Sequence, residues 1–396
     1  MIQIAAPHDC CGCTACASIC SKEAITMQSD ALGFLYPVVD KEKCIDCGIC
    51  EKVCSFNSHY DKTYNFDRPI AYGARHKDIK EVEMSRSGAA FVAISDYVIE
   101  NGGVVYGAGY TDYFQVIHKR ATTKEERDEF RGSKYVQSNL GTTFRQVKQD
   151  LKEGKIVLFS GTPCQTSGLR TYIGKALGKH LILLDIVCHG VPSPYIWKEH
   201  LKYIEQKTEK KITGVSFRDK NIFGWRAHKE TYEFENSGKY TYINNLYTYL
   251  FHKHIMLRQS CEKCHFANIK RPSDITLADF WGWEKTDRNI NVDNKGISLV
   301  FINTAKGMSL FEKISHNLNY VETEISNCLQ PNLKSPTHIH PKRDSFEKDF
   351  KNKGYNYVIK KYGNISLSYK IEKKYTDCIK EMRLFVRKYI MKYIRK

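Results

Sequence analysis

No long hydrophobic run occurs in the 396 residues, and the purely apolar stretches are short: Leu181 to Leu184 is broken at once by Asp185. A spanning helix needs about 18 such residues, so no segment is expected to cross a membrane. The opening residues carry no signal-like pattern, which argues against export. No Gly-x-Gly-x2-Gly run follows a strand-like stretch, so a Rossmann-type dinucleotide site has no support. Acidic residues are scarce, 44 against 61 Lys and Arg, leaving a net charge of +17. A chain so basic attracts acidic proteins, phosphorylated cofactors, nucleic acid or anionic lipid. No nucleic-acid reader motif accompanies the charge, so no nucleic acid is expected as partner. Much of the excess is local: Lys360 to Lys396 holds twelve Lys or Arg against three Asp or Glu.

Cysteine, by contrast, is abundant, with 15 in the chain. Eight form two runs of identical spacing, offset by 34 residues: Cys10, Cys13, Cys16, Cys20 and Cys44, Cys47, Cys50, Cys54. Each run gathers three thiolates on a tight loop and sends a fourth onward, which suits a 4Fe-4S cubane. The pattern resembles two-cluster bacterial ferredoxins, where the fourth cysteine of each run serves the other cluster. On that resemblance Cys10, Cys13 and Cys16 pair with Cys54, and Cys44, Cys47 and Cys50 with Cys20. Zinc knuckles or disulfides are the alternatives, and the third cysteine at x2 in both runs suits them less well. So many cysteines in a chain without an export signal point to metal clusters in a reducing cytoplasm. Ser21 and Ser55 stand where the pattern usually has proline, and Cys11 has no place in the pairing.

A ferredoxin module is expected over residues 1–60, with short strands at Ala24–Met27 and Tyr36–Val39, then a linker from Asn57 to Pro69. Beyond it, strand-like and helix-like patterns alternate. A strand is predicted at Ile70–Arg75, then a helix through Phe91, Ile94 and Val98, capped by Ser85 to Gly88 and stopped by Asn101-Gly102-Gly103. Strands follow at Val104–Gly107 and Val116–Lys119, then a helix from a capping box at Thr122-x2-Glu125 and another near Thr143–Lys152. The strand Ile156–Phe159 leads through Gly161-Thr162-Pro163-Cys164 into a helix ending near Leu177, and the strand Leu181–Val187 ends in Cys188-His189-Gly190. Such succession builds an α/β domain with ligands at strand ends. A helix over Pro194–Glu209, a hairpin around Asn236-Ser237-Gly238, a helix from Leu246 to Leu257 and strands Ile275–Ala278 and Ile297–Ile302 complete it. Little order is predicted beyond about Ser326 until the tail. There Ile371, Tyr375, Cys378, Met382, Phe385, Tyr389 and Tyr393 recur at threes and fours, as in a helix that docks on its own domain or lies on an anionic membrane surface.

Four further cysteines fall at element ends: Cys164, Cys188, Cys261 and Cys264. Their number matches one more cluster. A four-thiolate zinc site is an alternative, as is a reactive thiol at Cys164, whose place at a helix start would lower its pKa. Cys328 and Cys378 read as packing residues. Gly161-Thr162-Pro163-Cys164-Gln165, Cys188-His189-Gly190, Phe217-Arg218-Asp219, Cys261-x2-Cys264 and Leu277-Ala278-Asp279, in this order, resemble the coenzyme F420 hydrogenase/dehydrogenase beta-subunit family over roughly residues 70–320. The resemblance implies FAD beside a third 4Fe-4S cluster held by Cys164, Cys188, Cys261 and Cys264. It also marks Ser87, Gly88, Gly132, Ser133, Lys134 and Tyr135 as flavin-proximal.

The expected organisation is therefore three parts: a two-cluster ferredoxin domain at 1–60, a flavin and cluster domain at 70–325, and a basic extension at 326–396. The fold class is α/β, with an α+β ferredoxin-like module in front of a mixed α/β domain. Cofactor binding falls to Ser85, Ser87, Gly88, Gly132, Ser133, Lys134, Tyr135, Gly161 and Thr162, with the Ser85 to Gly88 helix start and Lys134 holding phosphates. Ser85 and Ser87 are alternatively plain caps. His189 is read as a proton donor or a sulfur ligand's hydrogen-bond partner, and Trp281 and Trp283 as pocket walls or ordinary packing. The function expected is an iron-sulfur flavoprotein oxidoreductase acting on a small organic substrate, with an external ferredoxin or flavoprotein as electron partner. The rival reading is a relay subunit without substrate chemistry of its own. The expected location is the cytoplasm, including the inner membrane face if the basic tail binds lipid.

Overall fold

The computed structural model describes residues 1–56, 61–236, 241–367, 369–371 and 373–375. Its first 56 residues repeat one backbone device. Gly12 and Thr14 have φ of 71° and 64°, and 34 residues later Asp46 and Gly48 have φ of 50° and 71°. Each pair of left-handed residues turns the cysteine loop into a short helix, Ala15–Ile19 and Ile49–Lys52. The antiparallel strands β1 (Ile25–Ser29) and β2 (Leu35–Val39) close the module.

Strand β3 (Asn65–His76) follows, reaching five residues into the stretch predicted as linker. It is held there by the pairing of Asn65 with Thr304 and by bonds of the Asn65 side chain to Arg170 and to the Arg271 carbonyl. Next come β4 (Val104–Tyr110), β5 (Val116–Ala121), β6 (Val157–Gly161) and β7 (Leu181–Ile186). The strands β8 (Ile212–Ser216), β9 (Glu230–Phe234) and β10 (Thr241–Asn244) form a separate antiparallel sheet; the predicted turn at Ser237-Gly238 lies outside the described residues. Last are β11 (Ile275–Asp279), β12 (Ser298–Thr304) and β13 (Leu318–Thr323).

The main sheet has the order β13-β3-β12-β11-β7-β6-β4-β5. Its central strands β4, β6, β7 and β11 are parallel, and the remaining pairs are antiparallel. Alternate residues of the central strands serve opposite faces. Leu158, Ile182 and Leu184 pack under the helices Ala90–Glu100 and Ala305–Ile314, whereas Val157, Phe159, Leu181 and Leu183 pack under Thr143–Lys152 and Pro163–Leu177. Both faces are covered, as continuous apolar runs in parallel strands require. A third core joins the small sheet to the helices Pro194–Thr208, Leu246–His252 and Arg343–Tyr362.

Several predicted boundaries move. The capping box lies one residue later, at Thr123 and Glu126. The helix at Leu246 stops at His252 rather than Leu257. Little order was expected beyond Ser326, yet Arg343–Tyr362 is helical and buries Phe346, Tyr355, Val358, Ile359 and Tyr362. Of the amphipathic tail only its beginning is described, with Ile371 and Tyr375 exposed; Cys378, Met382, Phe385, Tyr389 and Tyr393 lie outside the described residues. Among the described residues no helix is long and apolar enough to cross a membrane.

The cysteine module packs on the helix Pro163–Leu177. Cys13 and Ala15 join that helix's apolar core, and the Thr171 hydroxyl donates to the Val53 carbonyl at 2.6 Å. Gly168 makes the approach feasible, since a Cβ there would lie 2.7 Å from Cys13 Sγ. Arg145 adds bonds to the carbonyls of Ala17 and Ser18 and an ion pair with Glu23. Gly168→Ala is expected to cost about 1–3 kcal/mol by overpacking this contact, read as a lower urea midpoint of the whole chain.

Candidate functional site

The cysteine sets come first, since their local loops are fixed by sequence. Cys10 and Cys16 each lie within electrostatic reach of Cys13 and Cys54. Cys20, Cys44, Cys47 and Cys50 line one hollow of about 30 Å³. The fourth cysteine of each run has thus crossed to the other run's loop. Cys188 is likewise grouped with Cys164, Cys261 and Cys264. The last group converges because β6 and β7 are parallel. Cys164 stands just past the end of β6 and Cys188 just past β7, while the short turn at Gln259–Cys261 brings the remaining pair alongside.

Backbone amides point at these sulfurs. Ile2 donates to Cys50 at 3.2 Å, and Gly12 to Cys10, Ala24 to Cys20, Gly190 to Cys188 and Val191 to Cys261, each at 3.4 Å. Amide donors of this kind stabilise thiolate charge. Burial works the other way, raising the pKa of Cys188 and Cys16 and pushing Cys261 up to about 12. Cys13 and Cys164 are the exceptions, each lowered chiefly by the neighbouring Cys11 thiol, Cys164 to about 7 with the Thr162 hydroxyl contributing. Apolar burial with amides aimed at sulfur fits a site where metal charge compensates thiolates.

Beside the last cysteine group lies a cavity of about 390 Å³, within the about 300–1,000 Å³ usual for small-molecule and cofactor sites. The C-terminal ends of the parallel strands open into it, through Gly107 of β4, Ser160 and Gly161 of β6, Ile186 of β7 and Asp279 of β11. Cys188 and His189 form part of its wall. Of the nine predicted cofactor residues, Ser85, Ser87, Gly132, Ser133, Lys134, Tyr135, Gly161 and Thr162 line it. Gly88 does not. It lies behind the wall, where a Cβ would meet the Ala74 carbonyl oxygen and stand 2.6 Å from Ser298 N.

The expected capping role of the serines is corrected. The helix Ala90–Glu100 starts from Ala89 in the left-handed region, with no side-chain cap. Ser87 Oγ instead donates to Asp279 at 2.7 Å and to the Ile297 carbonyl at 2.9 Å. Ser85 Oγ is buried without a hydrogen-bond partner among the described residues. Lys134 Nζ donates to the carbonyls of Glu129 at 2.8 Å and Arg131 at 3.1 Å, and its burial lowers its pKa to about 8. Trp281 lines the cavity, stacked on Trp225 at 4.6 Å, whereas Trp283 is packed in the core beneath.

The charge at the cavity floor comes from residues whose part in it the sequence did not reveal. Asp279 accepts from Ser87, from Trp225 Nε1 at 3.1 Å and from Arg218 in an ion pair. Burial opposes its ionisation, but Arg218, Ser87 and Arg86 together hold the carboxyl below its ordinary value. Arg86 donates to the carbonyls of Arg218 and Trp225, and burial with the nearby Arg218 lowers its pKa to about 10. Arg218 thus pairs directly with the carboxylate, and Arg86 acts on it only through space. A smaller recess of about 140 Å³ continues past Arg86, Arg131 and Lys134 to Lys220, with Glu83 and Asp219 also in its lining.

The histidines on the wall are uncharged near neutrality. Burial lowers His118, His189 and His228 each to about 4. His118 is locked in place, with Nε2 donating to the Ser160 carbonyl at 3.0 Å and Nδ1 accepting from Ser138, which accepts in turn from Gln165. His189 meets His254 Nε2 to Nε2 at 2.6 Å, so one ring donates to the other. The floor is expected to depend on its ion pair: Arg218→Met leaves Asp279 buried with one partner fewer and should cost about 3–5 kcal/mol in chemical denaturation, whereas Arg218→Lys should cost less.

Among curated proteins no relative matches the chain. Among solved structures, a chain of the F420-reducing [NiFe] hydrogenase complex from Methanosarcina barkeri, in a xenon-derivatisation study, is similar. It is 16% identical with a TM-score of 0.42, over 78% of this chain and 97% of that one. Two family models match. Residues 9–58 fit the 4Fe-4S dicluster domain, and residues 154–327 fit the C terminus of the coenzyme F420 hydrogenase/dehydrogenase beta subunit. The second match contains Cys164, Cys188, Cys261, Cys264, Arg218 and Asp279, but not the segments at 85–88 and 132–135. Residues 154–327 are thus similar to the C terminus of the coenzyme F420 hydrogenase/dehydrogenase beta subunit, with a 4Fe-4S dicluster domain in front at residues 9–58.

Proposed function

We propose that this chain is an iron-sulfur flavoprotein oxidoreductase that joins an external one-electron carrier to a small organic substrate. The observation that supports it most is the order of the cysteine groups. Cys47 is exposed at one end, beside the exposed Ile45 and Ile49; Cys10, Cys13, Cys16 and Cys54 lie further in; and Cys188 at the other end borders the large cavity. Twelve cysteines would hold three 4Fe-4S clusters: Cys10, Cys13, Cys16 and Cys54; Cys20, Cys44, Cys47 and Cys50; and Cys164, Cys188, Cys261 and Cys264. Electrons carried along this order connect the surface to a ligand in the cavity, in either direction.

FAD would bind in that cavity, where it supplies the exchange between one- and two-electron transfer. The chain's own part is to bind and orient it. Arg86 and Arg218, in excess over Asp279, suit an anionic cofactor or substrate group, and the start of the helix Ala90–Glu100 faces the same cavity with its free amides. Trp281 and Tyr135 offer flat faces, and the neutral imidazoles of His189, His228 and His252 offer hydrogen bonds without added charge. The exposed apolar residues around Cys47 suit contact with a protein electron carrier.

The test is anaerobic purification followed by iron, sulfide and flavin assays. About twelve irons and one flavin per chain are expected, and Cys188→Ser should reduce the iron to about eight with the ferredoxin-module clusters intact. Twelve irons with no flavin, and none taken up on reconstitution, would support a passive relay instead.

A further inference from the structure

Arg258 is wholly buried, yet among the described residues no carboxylate pairs with it. Its guanidinium donates to the carbonyl of Cys10 at 2.8 Å, to that of Leu35 at 2.9 Å and to Gln137 Oε1 at 3.0 Å. It lies over the Tyr36 ring, 4.2 Å from its centre. These are neutral partners. A buried cation without a counter-ion is costly, so the fold must bring negative charge near it or lose stability.

The negative charge available is that of the cysteine groups. Arg258 grips the backbone of Cys10 in the first group, and three residues on along its own chain is Cys261 of the third, whose amide donates to the Arg258 carbonyl at 3.0 Å. Its guanidinium lies against Gly12, between Cys10 and Cys13, while its own backbone is bonded to Cys261 of the other group. Gln137 ties the junction together, accepting from Arg258 and donating through Nε2 to the Cys11 carbonyl at 3.0 Å. The buried Cys11 thiol sits between the sulfurs of Cys13 and Cys164, within hydrogen-bond reach of each.

We propose that Arg258 is a positioning residue shared by two iron-sulfur sites, whose one cation offsets the negative charge of both and raises the electron affinity of each. The inference rests on the cluster reading given above. A four-thiolate cubane bears net negative charge that grows by one on reduction, so two adjacent ones oppose each other's reduction; a cation between them relieves both. The group at Cys20, Cys44, Cys47 and Cys50 lies on the far side of the module and serves as an internal control.

The experiment is an EPR-monitored redox titration of the full-length, anaerobically purified chain and of Arg258→Gln and Arg258→Lys, each with its iron content measured. With about twelve irons retained, Arg258→Gln should move two of three potentials downward. A tenfold loss in the equilibrium ratio of reduced to oxidised site corresponds to about 59 mV. The third potential should stay, and Arg258→Lys should restore the first two. Unchanged potentials at full iron, all three moving together, or a lysine variant that moves as far as the glutamine one would each overturn the proposal. If the glutamine variant cannot hold iron, the lysine variant decides: full iron at wild-type potentials supports the charge, and loss of iron there too reduces Arg258 to a packing residue. A wild-type chain with only about eight irons would remove the third site itself, a failure of the cluster reading and distinct from twelve irons with unmoved potentials.

Discussion

Parallel pairing of β4, β6, β7 and β11 is the constraint from which the site follows. Strands that run the same way end on the same edge, and whatever the next few residues carry is collected there. The turns after β6 and β7 therefore bring Cys164 and Cys188 together although 24 residues separate them, and β11 delivers Asp279 to the same edge. Antiparallel β12 then sets Ser298 opposite Asp279, completing the wall from the other direction.

The same edge receives the cysteine module. Its attachment relies on buried polar groups as much as on apolar contact: Arg258 on the Cys10 and Leu35 carbonyls, Thr171 on the Val53 carbonyl, and the Tyr195 amide on the Leu32 carbonyl. Such bonds are directional, so they fix the module's orientation where apolar packing alone would tolerate sliding. That orientation keeps Cys13 against the helix Pro163–Leu177, whose first turn holds Cys164, with Cys11 between the two cysteines. The distance between the cysteine groups is thereby set by secondary structure rather than by a linker.

The cavity's electrostatics follow from what is buried around it. Arg86, Arg218 and Asp279 leave one positive charge over, while burial keeps the surrounding histidines neutral. A pocket that is apolar, positive at its floor and rich in neutral donors favours a flat, anionic ligand over a cation. The net charge of the chain plays little part in this, since much of the excess lies beyond Lys360.

By itself the sequence determined the features whose partners are near in the chain. The two cysteine runs, their loops, the Gly161-to-Cys164 turn and the helix that follows are short-range matters of spacing, caps and left-handed residues, and they stand where the pattern put them. The helix Arg343–Tyr362 escaped because Gly354, at a φ of 75°, breaks its periodicity and resets the buried face half-way. Ser87 reads from the sequence as a cofactor contact or a plain cap at a helix start, and only the sheet shows that its hydroxyl bonds Asp279, 192 residues away. Arg218 and Asp279 carried family motifs, but their ion pair, like the placing of Arg86 and Arg258, was decided by tertiary structure alone. A long cation has no local signature, and its role depends on which carbonyls and sulfurs the fold leaves within its reach.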